Sequence, residues 1–292
     1  MSTRHAARDI SYAHSAQTRP GRAMIRLLET ASGRGRLIRR AAGYEHEVAA
    51  GRDFWQVMIE RYGLRLDLVA GALDAIPREG PLVVVANHPY GILDGLILGH
   101  LLSQARGDFR ILAHRIFRKA ADLERIILPI DFDGTREAVE ANLLTRNTAL
   151  DYLGAGGAIG VFPGGTVSTA TRPMTRPMDP SWRSFTARMI ARSGATVVPV
   201  YFEGHNSRLF QMASHLHVTL RMGLLIREFG RRVDKPVRLV IGQPLRAETL
   251  APFAGDARGL MDFLRKATYE LSPEPFPCDE IGFEFEDKHR RA

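Results

Sequence analysis

The sequence predicts an α/β protein: a mostly parallel mixed sheet flanked by helices, with a basic helical segment ahead of it. Three observations carry that expectation. From about residue 64 onward, short apolar runs of strand length alternate with longer stretches of helical period. The run Leu82-Val83-Val84-Val85-Ala86 is apolar throughout, as a strand covered on both faces must be. Two runs, 82–86 and 158–162, end in glycine-containing turns, where open α/β sheets place their chemistry.

Each element follows in order. Residues 1 to about 20 lack periodicity and read as disordered. Between 23 and 40, Met24, Leu27, Leu28, Ala31, Leu37 and Ile38 recur among arginines, with Gly33 and Gly35 interrupting, which gives a broken amphipathic helix. It suits a membrane-surface anchor and a solvated basic tail equally. Residues 53–61 form a short amphipathic helix that Asp53 is placed to cap. Residues 64–69 alternate, as in an edge strand, and a turn at 76–81 leads into the strand at 82–86. A helix at 93–104 turns Leu96, Ile97, Leu101 and Leu102 inward. Strands are expected at 109–114, 126–130, 158–162, 196–202 and 237–241. Helices are expected at 116–125, 135–153, 181–193, 207–229 and 256–271. The chain divides into a basic segment at 1–52, a domain at 53–272 and a loosely packed, Pro- and acid-rich extension at 273–292.

Composition narrows the function classes. The 292 residues suffice for one large domain, and 45% apolar content is ordinary for a globular core. A single cysteine, Cys278, excludes an internal disulfide and offers no metal cluster. No apolar leader region follows the polar N-terminus, and no run of eighteen apolar residues marks a membrane span. The net charge of +8 favours anionic partners, and nine arginines fall within the first forty residues. No helix-turn-helix, zinc-finger or aromatic RNA-binding pattern accompanies that charge, which argues against nucleic acid.

The chemistry concentrates in Asn87-His88-Pro89-Tyr90-Gly91-Ile92-Leu93-Asp94-Gly95, directly after the strand at 82–86. His88 is suited to take a proton from a hydroxyl, and the Asp94 carboxylate to hold the ring and stabilise the imidazolium. The turn holds no Ser or Cys nucleophile, so the hydroxyl belongs to the substrate. A six-residue offset does not align two side chains on one helix face, so the turn must bend back, with Gly91 at positive φ. Asn87 braces the turn or touches substrate. A second turn, Phe162-Pro163-Gly164-Gly165-Thr166, follows the strand at 158–162. Its backbone N–H groups and the Thr166 hydroxyl suit an anion or oxyanion.

These motifs resemble those of the glycerolipid acyltransferases. The first resembles the family's Asn-His, four residues, Asp signature, with one residue more between His88 and Asp94. The second resembles Phe-Pro-Glu-Gly, with Gly164 where the Glu stands. A third, weaker likeness is Val197-Val198-Pro199-Val200-Tyr201-Phe202. The Asn-His-Pro and Asp-Gly variant is similar to the hemolysin-like or ornithine-lipid O-acyltransferase branch, and the likeness spans roughly residues 64 to 245.

The resemblance implies a lysolipid acceptor, either a lyso-aminolipid or lysophosphatidate. It implies acyl carrier protein or coenzyme A thioester as co-substrate, with no bound cofactor or metal. It also implies a peripheral place on the anionic cytoplasmic face of the inner membrane. The family's basic residue between the first two motifs has its nearest match at Arg118, with Arg115 beside it. The loop at 170–183, with Trp182, reads either as a lipid-dipping anchor or as a packed surface loop. A thioester hydrolase and a non-enzymatic hemolysin-like membrane binder remain the rival readings.

Overall fold

The computed structural model describes residues 10–16, 18–114, 121–130, 135–172 and 174–285. Its strands are β1 (Arg65–Ala70), β2 (Leu82–Ala86), β3 (Arg110–His114), β4 (Ile127–Ile130), β5 (Ala158–Val161), β6 (Thr196–Phe202) and β7 (Pro236–Ile241). They form one sheet in the order β1-β7-β6-β2-β5-β3-β4. Every neighbouring pair is parallel except β6–β7. The expected mixed, mostly parallel sheet is therefore present, and β1 is an edge strand as its alternation requires.

The centre of the sheet explains the unbroken apolar run. β2 is paired on both sides, and all five of its residues are buried. Leu82, Val84 and Ala86 face one core with Trp55, Leu93, Ile97 and Phe229. Val83 and Val85 face the other, with Ile159, Ile190 and Leu264.

The helices are α1 (Arg19–Ala31), α2 (Arg34–Ala41), α3 (Tyr44–Ala49), α4 (Phe54–Arg61), α5 (Ile92–Arg106), α6 (Arg136–Gly154), α7 (Ser184–Ser193), α8 (Arg208–Leu216), α9 (Val218–Gly230), α10 (Ala247–Leu250) and α11 (Ala257–Tyr269). Caps fix several of their starts: Asp53 accepts from Gln56 N, Thr135 from Ala138 N, and Asp256 from Gly259 N. Among the described residues no helix is long and apolar enough to cross a membrane.

Three expectations differ from the structure, and a fourth falls largely outside the described residues. The helical stretch at 207–229 is two helices, broken at His217, whose extended backbone (φ −165°) and ring nitrogen cap α9 through Thr219 N. Part of the N-terminus expected to be disordered is built in. Ala13 is buried, and Ser11 Oγ and Tyr12 N both donate to the buried carboxylate of Glu29 on α1. The acidic tail is tied down as far as residue 285: Gly282 N donates to Asp179 O, Phe283 N to Thr169 O, and Arg183 grips Glu284 through both terminal nitrogens. The basic helix expected at 116–125 falls largely outside the described residues, which resume with a short 3-10 turn at Ala121–Leu123.

Candidate active site

The site lies at the carboxyl ends of β2, β5 and β6, at the centre of the sheet. β2 ends at Ala86, and Asn87 continues its pairing by side chain. Its amide donates to Phe202 O at 2.9 Å and accepts from Phe202 N at 2.7 Å. Both ends of that amide are spent on β6, which braces the turn, and Asn87 is not among the residues lining the cavity described below.

His88 follows at the mouth of the turn. The chain reverses at Gly91, with φ 91° and ψ −119°, a conformation a side chain would disfavour. The reversal returns Asp94, on the first turn of α5, to His88: Nδ1 lies 3.0 Å from Oδ2, an ion-pair distance without the alignment of a full hydrogen bond. The same oxygen accepts from Tyr90 N at 2.7 Å and Gly91 N at 3.0 Å. Asp94 is fully buried, and burial pushes its carboxyl above the ordinary range, while the His88 ring and the two amides pull the other way.

The second turn closes over the imidazole. Phe162 stacks on the His88 ring, with centroids 4.2 Å apart and planes 26° from parallel. Ser168 N donates to His88 O at 2.8 Å, joining the two motifs through the backbone. Within the turn, Gly165 N donates to Phe162 O at 3.0 Å, so that amide is engaged. The amides of Gly164 and Thr166 have no hydrogen-bond partner among the described residues.

Two functional positions escaped the sequence reading. Asp179 is fully buried beside the second turn. One carboxylate oxygen accepts from His88 N at 3.1 Å and from Ser168 Oγ, and the other from Trp182 Nε1 at 2.9 Å. Trp182 is thus a packed residue, 5% exposed, rather than a lipid anchor. Gly164 makes room for this arrangement: a β-carbon there would sit 3.3–3.4 Å from Asp179 Cβ, Cγ and Oδ2. The second is Arg221 of α9, which reaches Thr166 Oγ1 at 2.9 Å and Val167 O at 2.8 Å. Its signal in the sequence is a lone arginine at i with Leu225 and Phe229 at i+4 and i+8, an apolar face. Arg115 and Arg118 lie outside the described residues.

A cavity of about 830 Å³ opens on His88. Phe162, Pro163, Gly165, Thr166 and Arg221 line it near the two motifs, and Trp55, Met58, Leu96, Ile111 and Phe229 give it apolar walls. Tyr12 also lines it, its hydroxyl 3.4 Å from where a β-carbon on Gly91 would stand. The strap at residues 10–15 therefore contributes to the site. The arrangement can take a proton from a bound hydroxyl and house an apolar chain beside it.

A family model described as acyltransferase matches residues 39–274, and the chain belongs to that family. The enzyme is accordingly an acyltransferase. Among curated proteins it is 25% identical over 233 residues to the lyso-glycine lipid O-acyltransferase of Phocaeicola vulgatus, covering 76% of this chain and 78% of that one. It is 23% identical over 211 residues to the Bacteroides thetaiotaomicron protein of the same name, covering 68% and 72%. Among solved structures, the 1-acyl-sn-glycerophosphate acyltransferase PlsC of Thermotoga maritima aligns over 91% of this chain and 87% of its own, with 17% identity and a TM-score of 0.46.

Proposed function

We propose that this acyltransferase moves a fatty acyl group from an acyl thioester to the hydroxyl of a membrane lysolipid, and that its acceptor is a lyso-aminolipid. The observation that carries the reading is the His88–Asp94 pair at 3.0 Å, opening on a cavity of about 830 Å³ with apolar walls. Relatives named for a lyso-glycine lipid support the amino-acid head group.

In this reading the lysolipid hydroxyl gives its proton to Nε2 of His88, while Asp94 stabilises the imidazolium. The hydroxyl oxygen attacks the thioester carbonyl. The free amide of Thr166, which lines the cavity, steadies the tetrahedral oxyanion. The intermediate collapses with cleavage of the C–S bond, and the proton on His88 passes to the departing thiolate. An acyl carrier protein or coenzyme A serves as the thiol. No covalent enzyme intermediate forms. The protein works at an anionic membrane surface, on the cytoplasmic face of the inner membrane.

A side-by-side assay with one acyl donor tests the acceptor. Faster acylation of a lyso-aminolipid than of lysophosphatidate is expected. A clear preference for lysophosphatidate overturns the acceptor assignment and leaves acyl transfer in place. Thioester hydrolysis that no lysolipid diverts overturns both.

A further inference from the structure

Arg221 presents an unusual charge balance. Its residue is 3% exposed, yet it lines the cavity that opens on His88. Nη1 donates to Thr169 Oγ1 and, at 3.1 Å, to Ser214 Oγ; Nη2 donates to Thr166 Oγ1 and Val167 O. All four acceptors are neutral. Among the described residues no carboxylate forms an ion pair with it. Phe285 and Phe210 flank the guanidinium, 4.3 and 5.1 Å from their ring centroids, and hold its plane.

A buried cation with no carboxylate partner among the described residues is costly, and burial, against the opposing pull of Tyr12, pushes the Arg221 guanidinium down to about 9. Arginine nonetheless stays charged at neutral pH, so the free enzyme carries that cost in its substrate cavity. Thr166 points to how it is relieved. Its oxygen accepts from Arg221, and its own hydroxyl proton remains to be donated. With all four Nη hydrogens engaged, Arg221 Nε donates to nothing among the described residues. Nε and the Thr166 hydroxyl are thus the two donors left for an anion, in a cavity that Arg26, Glu29, Arg34 and Arg183 also line.

We infer that Arg221 and Thr166 form the head-group subsite, and that they select lysolipids carrying a free carboxylate. The inference rests on the lysolipid acyltransferase reading and deepens it. An amino-acid head group acylated on its nitrogen keeps that carboxylate. The contact anchors the far end of the acceptor while its hydroxyl reaches His88 in the same cavity. Arg221 also ties down Val167, one residue before Ser168, whose amide holds the His88 carbonyl. Loss of the arginine would therefore disturb any acceptor somewhat, and the test must read selectivity rather than rate.

The experiment compares an N-acylated amino-acid lysolipid with its carboxylate methyl ester, both in neutral detergent micelles. Binding and acylation are measured with the full chain and one acyl donor. Wild-type protein is expected to favour the free acid about 10- to 100-fold in kcat/KM, the range of a hydrogen-bonded charge contact. Arg221→Gln should bring the two substrates within a few-fold, chiefly by raising KM for the acid. Thr166→Val should narrow the gap partly, and it serves if Arg221→Gln does not fold. Equal use of acid and ester by the wild type overturns the inference without any variant. So does an Arg221→Gln protein that loses rate equally on both. Selective binding of the acid without acyl transfer keeps the subsite and overturns the acyltransfer reading. Transfer without acid selectivity does the reverse.

Discussion

At the residue scale, the His88–Asp94 pair makes the sharpest demand on the chemistry. His88→Ala is expected to lower kcat/KM about 10²–10⁴-fold, the usual worth of a general base, with circular dichroism unchanged. Retained turnover in that folded variant would remove the mechanism. Asp94 adds a pH signature. Because burial raises its pKa, Asp94 takes up a proton at a higher pH than a free carboxyl would. Activity is then present above that pKa and lost as pH falls through it. Stability follows the opposite sign. The folded state holds this proton more tightly than the unfolded chain, so the group's contribution to stability rises as pH falls between the folded and unfolded pKa values. The acid loss of rate should therefore be reversible and precede acid unfolding, as paired rate and fluorescence titrations would reveal.

Asp179 and Gly164 make a second residue-scale case. Removing the carboxylate in Asp179→Ala leaves His88 N, Ser168 Oγ and Trp182 Nε1 without their acceptor in a buried site. We expect a loss of about 3–5 kcal/mol in denaturant unfolding, since each buried donor left without an acceptor costs about 1–3 kcal/mol and part of that is recovered by relaxation. Gly164→Glu, which would write a family-like carboxylate into the second motif, should lower activity on the true acceptor. Its β-carbon would crowd Asp179, and its charge would repel a buried carboxylate. Improved turnover would show that the turn has space and electrostatic tolerance that these contacts deny. Asp179 was not legible in the sequence because nothing local marks a lone acid in a basic loop as the centre of a network. Two of its partners, His88 and Ser168, lie in the two motif turns outside its own loop, and the third is Trp182, three residues on.

At the scale of elements, what the sequence reveals tracks how each element is held. β2 and β6 match their expected bounds because strands buried on both faces must be apolar throughout. α4, α6 and α11 begin where their capping residues stand. The strap at residues 10–15 was invisible because its hold is tertiary: the Glu29 carboxylate takes Ser11 and Tyr12, and Arg34 Nε donates to Ile10 O at 2.6 Å. The strap delivers Tyr12 to the start of α5, next to the reversal at Gly91. Glu29→Ala should release it. Faster hydrogen exchange at residues 10–15 and a higher KM for the acceptor are expected, with the global unfolding midpoint changed little. Unchanged exchange there would mean that the strap is held by packing alone.

At the scale of the whole molecule, membrane attachment divides into two physically distinct parts. The basic segment is not a detachable tail, since Ile25, Glu29, Leu37 and Ala41 are buried in the fold. Truncation to residue 40 would remove core and cavity along with charge, so attachment must be tested by surface substitution. Arg19, Arg26, Arg36 and Arg39 are exposed on α1 and α2. Each arginine near an anionic surface contributes about 1 kcal/mol, a contribution that salt screens. α8 offers a different contact. Leu209, Met212 and Leu216 recur at helical spacing and are 44%, 44% and 75% exposed, and Val218 follows at 59%. Burial of such side chains in the interface is driven by the hydrophobic effect, which added salt does not screen. Two variants should therefore separate in a vesicle sedimentation series. Replacing Arg19, Arg36 and Arg39 with Gln should weaken binding to anionic vesicles about 100-fold at low salt, with the difference fading by 0.5 M. Replacing Leu209, Met212 and Leu216 with Ser should weaken binding at every salt concentration, and on neutral vesicles as well. If the α8 variant binds as wild type while the arginine variant is impaired, attachment is electrostatic and α8 faces something other than lipid. If neither variant changes binding, the contact surface lies elsewhere on the molecule.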